Sequence, residues 1–555
     1  MKGVLAKIGS RLLGLLFIVA IACTIGFIRL YEFSFGIIDL VAAIILYTTF
    51  QLIHYKKRND KSNKKIIRKH VLFVWLYLAI LIFVPTMLNW ISKTLPVQDP
   101  DLTFMTLQMP IDNLFPIFLK DFIINVVLYP IIFSTIILWP FYFFFRKLRF
   151  RKTVFVSTFL VFLVAASFPP WNAIPSQSMQ HLKNHFFGEP TKSHFSKFYK
   201  DHFVTYKPEM VTADDTTRNM IFIYVEALEN SFIKYIPEIR LLYNQSLSFN
   251  DQRGYSGGAS LIGTNSNISS IVAKTTGMLL LCGDPFMEKY SELNETFFDS
   301  VPSLYDVLHH YNYRNFYIQG NSTEKDLTSL FMSTHGIDHI YGKDDIEAKL
   351  IAKGETYPDD DSRLSDTDVL NYAKSILDTL SNGPFSMTIK TYDTHSPNGF
   401  FDERCGEKPQ NSSEKDYYAA VLKCTSKRIG EFVKWVQTKP FGSNTEIVIS
   451  GSHLFNGKSP VSDMPIATRR FLTMHFNPKY TTPNVTRRHS SLDFAPTVLE
   501  TMGFHLEGHR LGFGTSLLSP ESTIVEKQIP RMAIRSFRGL SGSIEYNNLF
   551  QNKAP

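Results

Sequence analysis

Four short stretches of this chain combine residue types that can do chemistry. Glu226 follows directly on the apolar run Asn219–Val225; a carboxylate there is a hard ligand for a divalent cation, or else a solvated acid. Ser452 and His453 follow a second such run, Glu446–Ser450. Histidine is the commonest side-chain metal ligand, although a single one near a strand is more often structural. Thr264 lies in Gly263-Thr264-Asn265-Ser266, ahead of a helix start whose free N–H groups draw an anion and make an ionised hydroxyl less costly. Alone, Gly-Thr is also ordinary loop chemistry. His395, in Asp393-Thr394-His395-Ser396-Pro397, can give a proton or meet a phosphate, with a turn-stabilising role as the alternative. Arg487, Arg488 and His489 can contact an anionic group, or form a solvated basic loop.

The elements that must position these residues alternate. Asn219–Val225 is too short for a helix and continuously apolar, as a strand buried on both faces requires. A helix is predicted over Pro302–Tyr311, a strand over Asn315–Gln319, a helix from Asp366 to about Leu380 and a strand over Phe385–Tyr392. A long amphipathic helix, Tyr417–Gln437, leads into the strand Glu446–Ser450, followed by a strand at Phe471–Phe476 and a helix at Ser491–Met502. This order implies an α/β domain with a largely parallel central sheet. In such sheets the working loops lie at the carboxyl ends of the strands, where Glu226, Asp393–His395 and Ser452-His453 all fall.

The first third of the chain is different. The mean hydropathy of −0.04 averages an apolar part before about residue 173 with an ordinary polar part after it. Five stretches, near 12–30, 35–54, 71–90, 122–144 and 153–172, are long enough to cross roughly 30 Å of hydrocarbon. Lys and Arg crowd the loops at 55–70 and 145–152, and the N-terminus carries Lys2, Lys7 and Arg11. With these segments inside, five crossings send residues 173–555 outward, which in a bacterium means an inner-membrane protein with a periplasmic domain. The expected divisions are a five-helix transmembrane region at 1–172, a juxtamembrane linker at 173–215, a catalytic domain at 216–520 and an extension at 521–555 with strand-like STIV and MAIRSF. The formal charge of +8 is then a topology signal, and no basic-aromatic module points to nucleic acid. Cys405 and Cys424, on the oxidising side, are candidate disulfide partners; Cys282 is left single and Cys23 lies in the first crossing.

Taken in order, IYVEALE, GTNSNISSIV, IQGN, STHGIDHIYG, DTHSPNGF, IVISGSHL and SSLDFAPTVLETMG resemble the alkaline phosphatase/sulfatase superfamily over about 215–515. More narrowly they resemble the membrane-bound phosphoglycerol transferases of osmoregulated periplasmic glucans. Lipoteichoic acid synthases and phosphoethanolamine transferases are similar at greater distance. The resemblance implies a two-step transfer. A Thr attacks the phosphodiester of a phospholipid, phosphatidylglycerol or phosphatidylethanolamine, and carries the head group until a glycan acceptor hydroxyl takes it. It implies Thr264 as nucleophile and metal contact, Glu226, Ser452 and His453 as the other metal contacts, and His395 as a catalytic and substrate-side residue. One divalent ion, Mn or Zn or else Mg, is the implied cofactor.

This chain also departs from that pattern. The family places an Asp before the ligand His, where Ser452 stands here. A basic residue expected between IQGN and STHG is also missing: Thr328 aligns to it, and Lys325 is close enough to substitute as a substrate-binding group, beside Arg488. Three readings follow: an active phosphoglycerol transferase with an altered metal site, a phosphoethanolamine transferase, or a degenerate relative that binds lipid or glycan or regulates envelope assembly.

Overall fold

The computed structural model describes residues 198–527, with interruptions at 252–253, 255, 282–294, 353, 355–363, 381–382, 411, 456–458 and 466–467, a helical segment within 119–135, and Phe83 and Leu549. The chain divides into two compact units, residues 1–100 with 115–189, and 101–114 with 190–555. In the first, residues 122–132 are helical with a π-helical turn at Ile123–Leu128, and Ile123, Ile124, Leu128 and Ile132 are exposed. The expected crossings 12–30, 35–54 and 153–172 lie outside the described residues, 71–90 is described only at Phe83, and 122–144 only at 122–132 and 135. Among the described residues no helix is long and apolar enough to cross a membrane.

The second unit is built on six strands: β1 (Asn219–Val225), β2 (Arg314–Gln319), β3 (His339–Tyr341), β4 (Phe385–Lys390), β5 (Thr445–Gly451) and β6 (Thr473–Phe476). Their spatial order is β3–β2–β4–β1–β5–β6, parallel throughout except for β6, which runs antiparallel to β5. Every residue of β1 is buried, which explains its unbroken apolar run: helices cover both faces.

Side chains alternate between those faces. Ile221, Ile223 and Val225 point into one core with α1 (Pro237–Tyr243), α6 (Asp366–Leu377) and α7 (Glu414–Gln437), through Ile239, Leu370, Phe432 and Val436. Phe222 and Tyr224 point the other way. Phe222 packs on Phe494 of α8 (Phe494–Met502) at 4.7 Å, and Tyr305 of α3 (Leu304–His310) joins its hydroxyl to Thr388 of β4 at 2.8 Å. Tyr224 donates to the carbonyl of Asn267 in α2 (Asn267–Thr276), 2.9 Å. This second layer also holds α4 (Leu327–Thr334); α5 (Lys343–Ala352) adds Ile346 to the first core.

Local chemistry accounts for where expected boundaries move. α7 begins at Glu414, before the expected Tyr417, because the Ser413 hydroxyl accepts from Asp416 N–H. Phe471 stays outside β6 because its backbone bonds Gly258 in both directions. The expected helix Ser491–Met502 is a 3-10 turn, Ser491–Asp493, running into α8. The strand-like STIV starts the short helix Ile524–Lys527 instead, with Thr523 accepting from Glu526 N–H. MAIRSF lies outside the described residues.

Candidate active site at the strand ends

Glu226, one residue past β1, is fixed by its backbone. Its N–H donates to Thr391 Oγ1 at 3.2 Å, and its carbonyl accepts from the Thr394 hydroxyl. Ala227 then takes a positive φ of 48°, turning the chain away and leaving the carboxylate at the strand end. Beyond β5, Ser452 N–H bonds the Val225 carbonyl at 2.8 Å, and Ser452 Oγ accepts from Ala227 N–H at 2.8 Å. These two bonds zip the ends of β1 and β5 together. Gly451 is required there, since a Cβ would lie 1.9 Å from the Leu228 carbonyl oxygen.

The result brings Glu226 and His453 together: Nε2 of His453 is 3.3 Å from Oε1 of Glu226, with both side chains buried. Nδ1 of His453 faces the Leu454 carbonyl at 3.0 Å, so it carries the proton. Both Glu226 oxygens are buried without a hydrogen-bond partner. Burial pushes the Glu226 carboxyl up, but the charges of His453 and then His395 outweigh it, and it is held below the usual range. The Asn267 amide lies beside this buried carboxylate, and a cation shared between Oε1 and Nε2 would offset its remaining desolvation cost. Glu226 and His453 therefore fit a divalent ion, and the Nδ1–carbonyl bond is the usual support of a metal-bound histidine. Among the described residues no group of three or more His, Cys, Asp or Glu could hold a metal, so further donors would come from hydroxyls or water.

Thr264 lies in the turn before α2. Gly263 takes a φ of +74°, and a Cβ there would meet Leu281 and the Leu280 carbonyl within 2.8 Å. The Thr264 side chain is buried; its hydroxyl donates to the Leu261 carbonyl at 2.7 Å and accepts from Leu261 N–H at 3.0 Å. Ser266 caps α2 in a reciprocal pair with Ser269. The first turns of α2 reach both strand ends, through Asn267 to Tyr224 and through the Ser270 hydroxyl, which donates to the Ser452 carbonyl. His395 is half-buried, its ring stacked on Tyr392 at 4.4 Å.

The other candidates are less central. Lys325 is exposed, 4.0 Å from Glu324, and Thr328 is buried in α4. Arg488 is tied by its backbone to Glu526 and Thr523. The solvated-loop reading of 487–489 is wrong for two of its three residues: Arg487 is buried against Glu526, and His489 is buried, its ring pushed down to about 4 by desolvation. Cys405 and Cys424 are bonded, with Cα atoms 5.7 Å apart, joining a 3-10 turn to α7.

Two supports went unread in the sequence. Glu229 accepts from Phe455 N–H at 2.9 Å and from Arg469 Nε at 2.8 Å, and Arg469 also donates to the Phe455 carbonyl at 2.6 Å. This buried clamp holds the segment that carries Ser452 and His453. Lys390, at the end of β4, is buried too.

Known proteins resemble this chain over its second unit. The family model described as Sulfatase matches residues 211–504. Phosphoglycerol transferase I of Salmonella paratyphi B is 29% identical over 346 residues, covering 60% of this chain and 43% of that protein. The protein of the same name from Citrobacter koseri is 29% identical over 329 residues, covering 57% and 41%. The chain thus spans less than half the length of these curated relatives. Among solved structures, the lipoteichoic acid synthase LtaP from Listeria monocytogenes aligns with 66% of this chain and 99% of its own, at a TM-score of 0.49 and 15% identity.

Proposed function

From the fact that the chain belongs to the sulfatase family, we propose that it is a metal-dependent, membrane-anchored transferase. It moves a phospholipid head group, phosphoglycerol foremost, to a glycan of the cell envelope through a phosphothreonine. The observation that carries this reading is the Glu226–His453 pair, 3.3 Å apart at two strand ends with both side chains buried. The phosphoglycerol transferases at 29% identity support the choice of head group. The basic loops at 55–70 and 145–152 support five crossings, an inner-membrane location and a periplasmic catalytic domain over about 216–520.

In the first step the Thr264 hydroxyl leaves the Leu261 carbonyl and attacks the donor phosphorus. The Oγ–P bond forms as the Thr264 proton is released to water, the P–O bond to diacylglycerol breaks, and that oxygen takes up a proton, for which His395 is the donor. In the second step an acceptor hydroxyl attacks the same phosphorus and gives its proton to His395, while the Thr264 Oγ–P bond breaks and Oγ takes up a proton from water. When bound by Glu226 and His453, a divalent ion (Mn or Zn, or else Mg) lowers the pKa of the Thr264 hydroxyl and offsets charge on the phosphoryl oxygens. Ser452 holds the turn through Ala227 N–H and is the least committed of the metal contacts.

A second reading, a non-catalytic relative that binds lipid or glycan or regulates envelope assembly, is favoured by the neutral Ser452 in place of a carboxylate. A third, phosphoethanolamine transfer, uses the same residues. Purified full-length protein in mixed micelles separates them. The transferase reading expects divalent-dependent release of diacylglycerol from phosphatidylglycerol, with the head group passed to a glucan. Release from phosphatidylethanolamine alone selects the third reading; release from neither lipid with any ion selects the second.

A further inference from the structure

β4 ends on Lys390, a residue only 6% exposed. Among the described residues its ammonium makes one hydrogen bond, 3.3 Å to Gln319 Oε1, and no ion pair. Gln319 cannot offset the charge. Its Oε1 already accepts from the Tyr317 hydroxyl at 2.9 Å, and its amide nitrogen is spent on Ser322, Asp326 and Ser329. A buried ammonium with one hydrogen bond and no ion pair among the described residues is a costly arrangement unless an anion joins it.

The register says where such an anion would lie. Tyr224, Lys390 and Gln319 are partners across β1, β4 and β2. Residues in register on neighbouring parallel strands share a face, and Tyr224 faces the first turn of α2. Glu226, two residues beyond Tyr224, emerges on that side and has the Asn267 amide beside it. Thr391, next after Lys390, accepts the Glu226 N–H. Lys390, Glu226 and the α2 N-terminus therefore lie on one face at the carboxyl edge of the sheet, where Asn267 is three residues from Thr264 along the chain. Lys325, by contrast, is two-thirds exposed.

We propose that Lys390 is the cation that binds the phosphoryl group in this site, supplying from β4 the positive charge that neither Thr328 nor Lys325 supplies. The inference rests on the transferase reading for the identity of the donor, but phosphate binding tests it separately. Inorganic phosphate and glycerol phosphate are titrated into full-length protein carrying Thr264→Ala, which blocks turnover, with and without Lys390→Met or Lys390→Arg. Methionine keeps the length and packing of the lysine stem, and arginine keeps the charge; thermal unfolding of each variant reports folding separately. Lys390→Met should weaken both ligands by at least about 30-fold, the loss typical of removing one partner of a buried charged contact. Lys390→Arg should retain most of the affinity. In the Thr264 background kcat/KM for phosphatidylglycerol should fall with the same order of variants. Unchanged phosphate affinity in folded Lys390→Met or, should methionine not fold, in Lys390→Gln overturns the proposal and leaves the transferase reading standing. Lost phosphate affinity in a protein that transfers no head group upholds Lys390 as the anion ligand and overturns the transferase reading instead.

Discussion

Glu226 and His453 sit at the ends of adjacent parallel strands, 3.3 Å apart, and the hydrogen bonds around them fix that spacing. Ser452 N–H on the Val225 carbonyl and Ala227 N–H on Ser452 Oγ fix the spacing from below. The Glu229–Arg469 clamp on Phe455 fixes it from the far end of the loop. A carboxylate and an imidazole held this way are prepared before any ligand arrives.

Ser452→Asp should increase divalent-ion binding. The variant adds a carboxylate next to His453, and a third anionic or imidazole donor is what the site lacks among its described residues. Metal content after exhaustive dialysis should rise toward one equivalent, and transfer should rise with it if Glu226 and Thr264 are correctly placed. A variant that gains no metal would remove Glu226 and His453 as ligands.

Arg469→Met should be strongly destabilising. It leaves Glu229 buried without its cation and frees the Phe455 carbonyl, a loss of about 3–5 kcal/mol. Denaturant unfolding of the full chain reads the cost. Arg469→Lys, which restores charge without the fork, should recover only part. A loss below about 1 kcal/mol would mean the clamp is not what holds the 452–455 segment.

Lys274 gives a pH-dependent prediction. It is fully buried on α2, with Nζ 3.8 Å from the Phe471 ring centre, and desolvation pushes its amine down to about 7. A lysine lowered on folding prefers the neutral form in the native state. Its penalty is therefore complete below about pH 7 and fades as pH rises toward the ordinary lysine value near 10.4. Lys274→Met should stabilise by about 1–4 kcal/mol at pH 7, with the advantage over wild type shrinking by about pH 10. An advantage that is the same at both pH values would contradict the buried-amine account.

The disulfide carries its own test. Cys405 and Cys424 are 19 residues apart, and closing a loop of that size stabilises by about 3 kcal/mol in the chain-entropy model. Replacing both with Ser should lower stability by that order under non-reducing conditions and change nothing under reducing ones. Equal stability of wild type and the double variant without reductant would count against the bond.

The sheet was legible because its strands are short, apolar and buried on both faces, so Asn219–Val225 and Glu446–Ser450 stand out without context. Glu226, Thr264, His395 and His453 could be singled out since each follows a strand or precedes a helix. β3 and α5 were not legible, being a three-residue strand and a helix with little apolar periodicity. Glu229 and Arg469 went unread because their pairing joins residues far apart in sequence, and an isolated acid or arginine reads as surface. Arg487 misled for the same reason: its partner Glu526 lies in a segment that carried no motif. Lys390 was hidden inside a strand that sequence alone extends to Tyr392.

The most direct measurement is the covalent intermediate. Full-length protein is mixed with phosphatidylglycerol labelled in its head group, without acceptor and with divalent ion, then digested and mapped by mass spectrometry. The account predicts a glycerol-phosphate adduct on Thr264, lost in Thr264→Ala and discharged when a glucan acceptor is added. Diacylglycerol release with no adduct on Thr264, or an adduct that survives in Thr264→Ala, would contradict it.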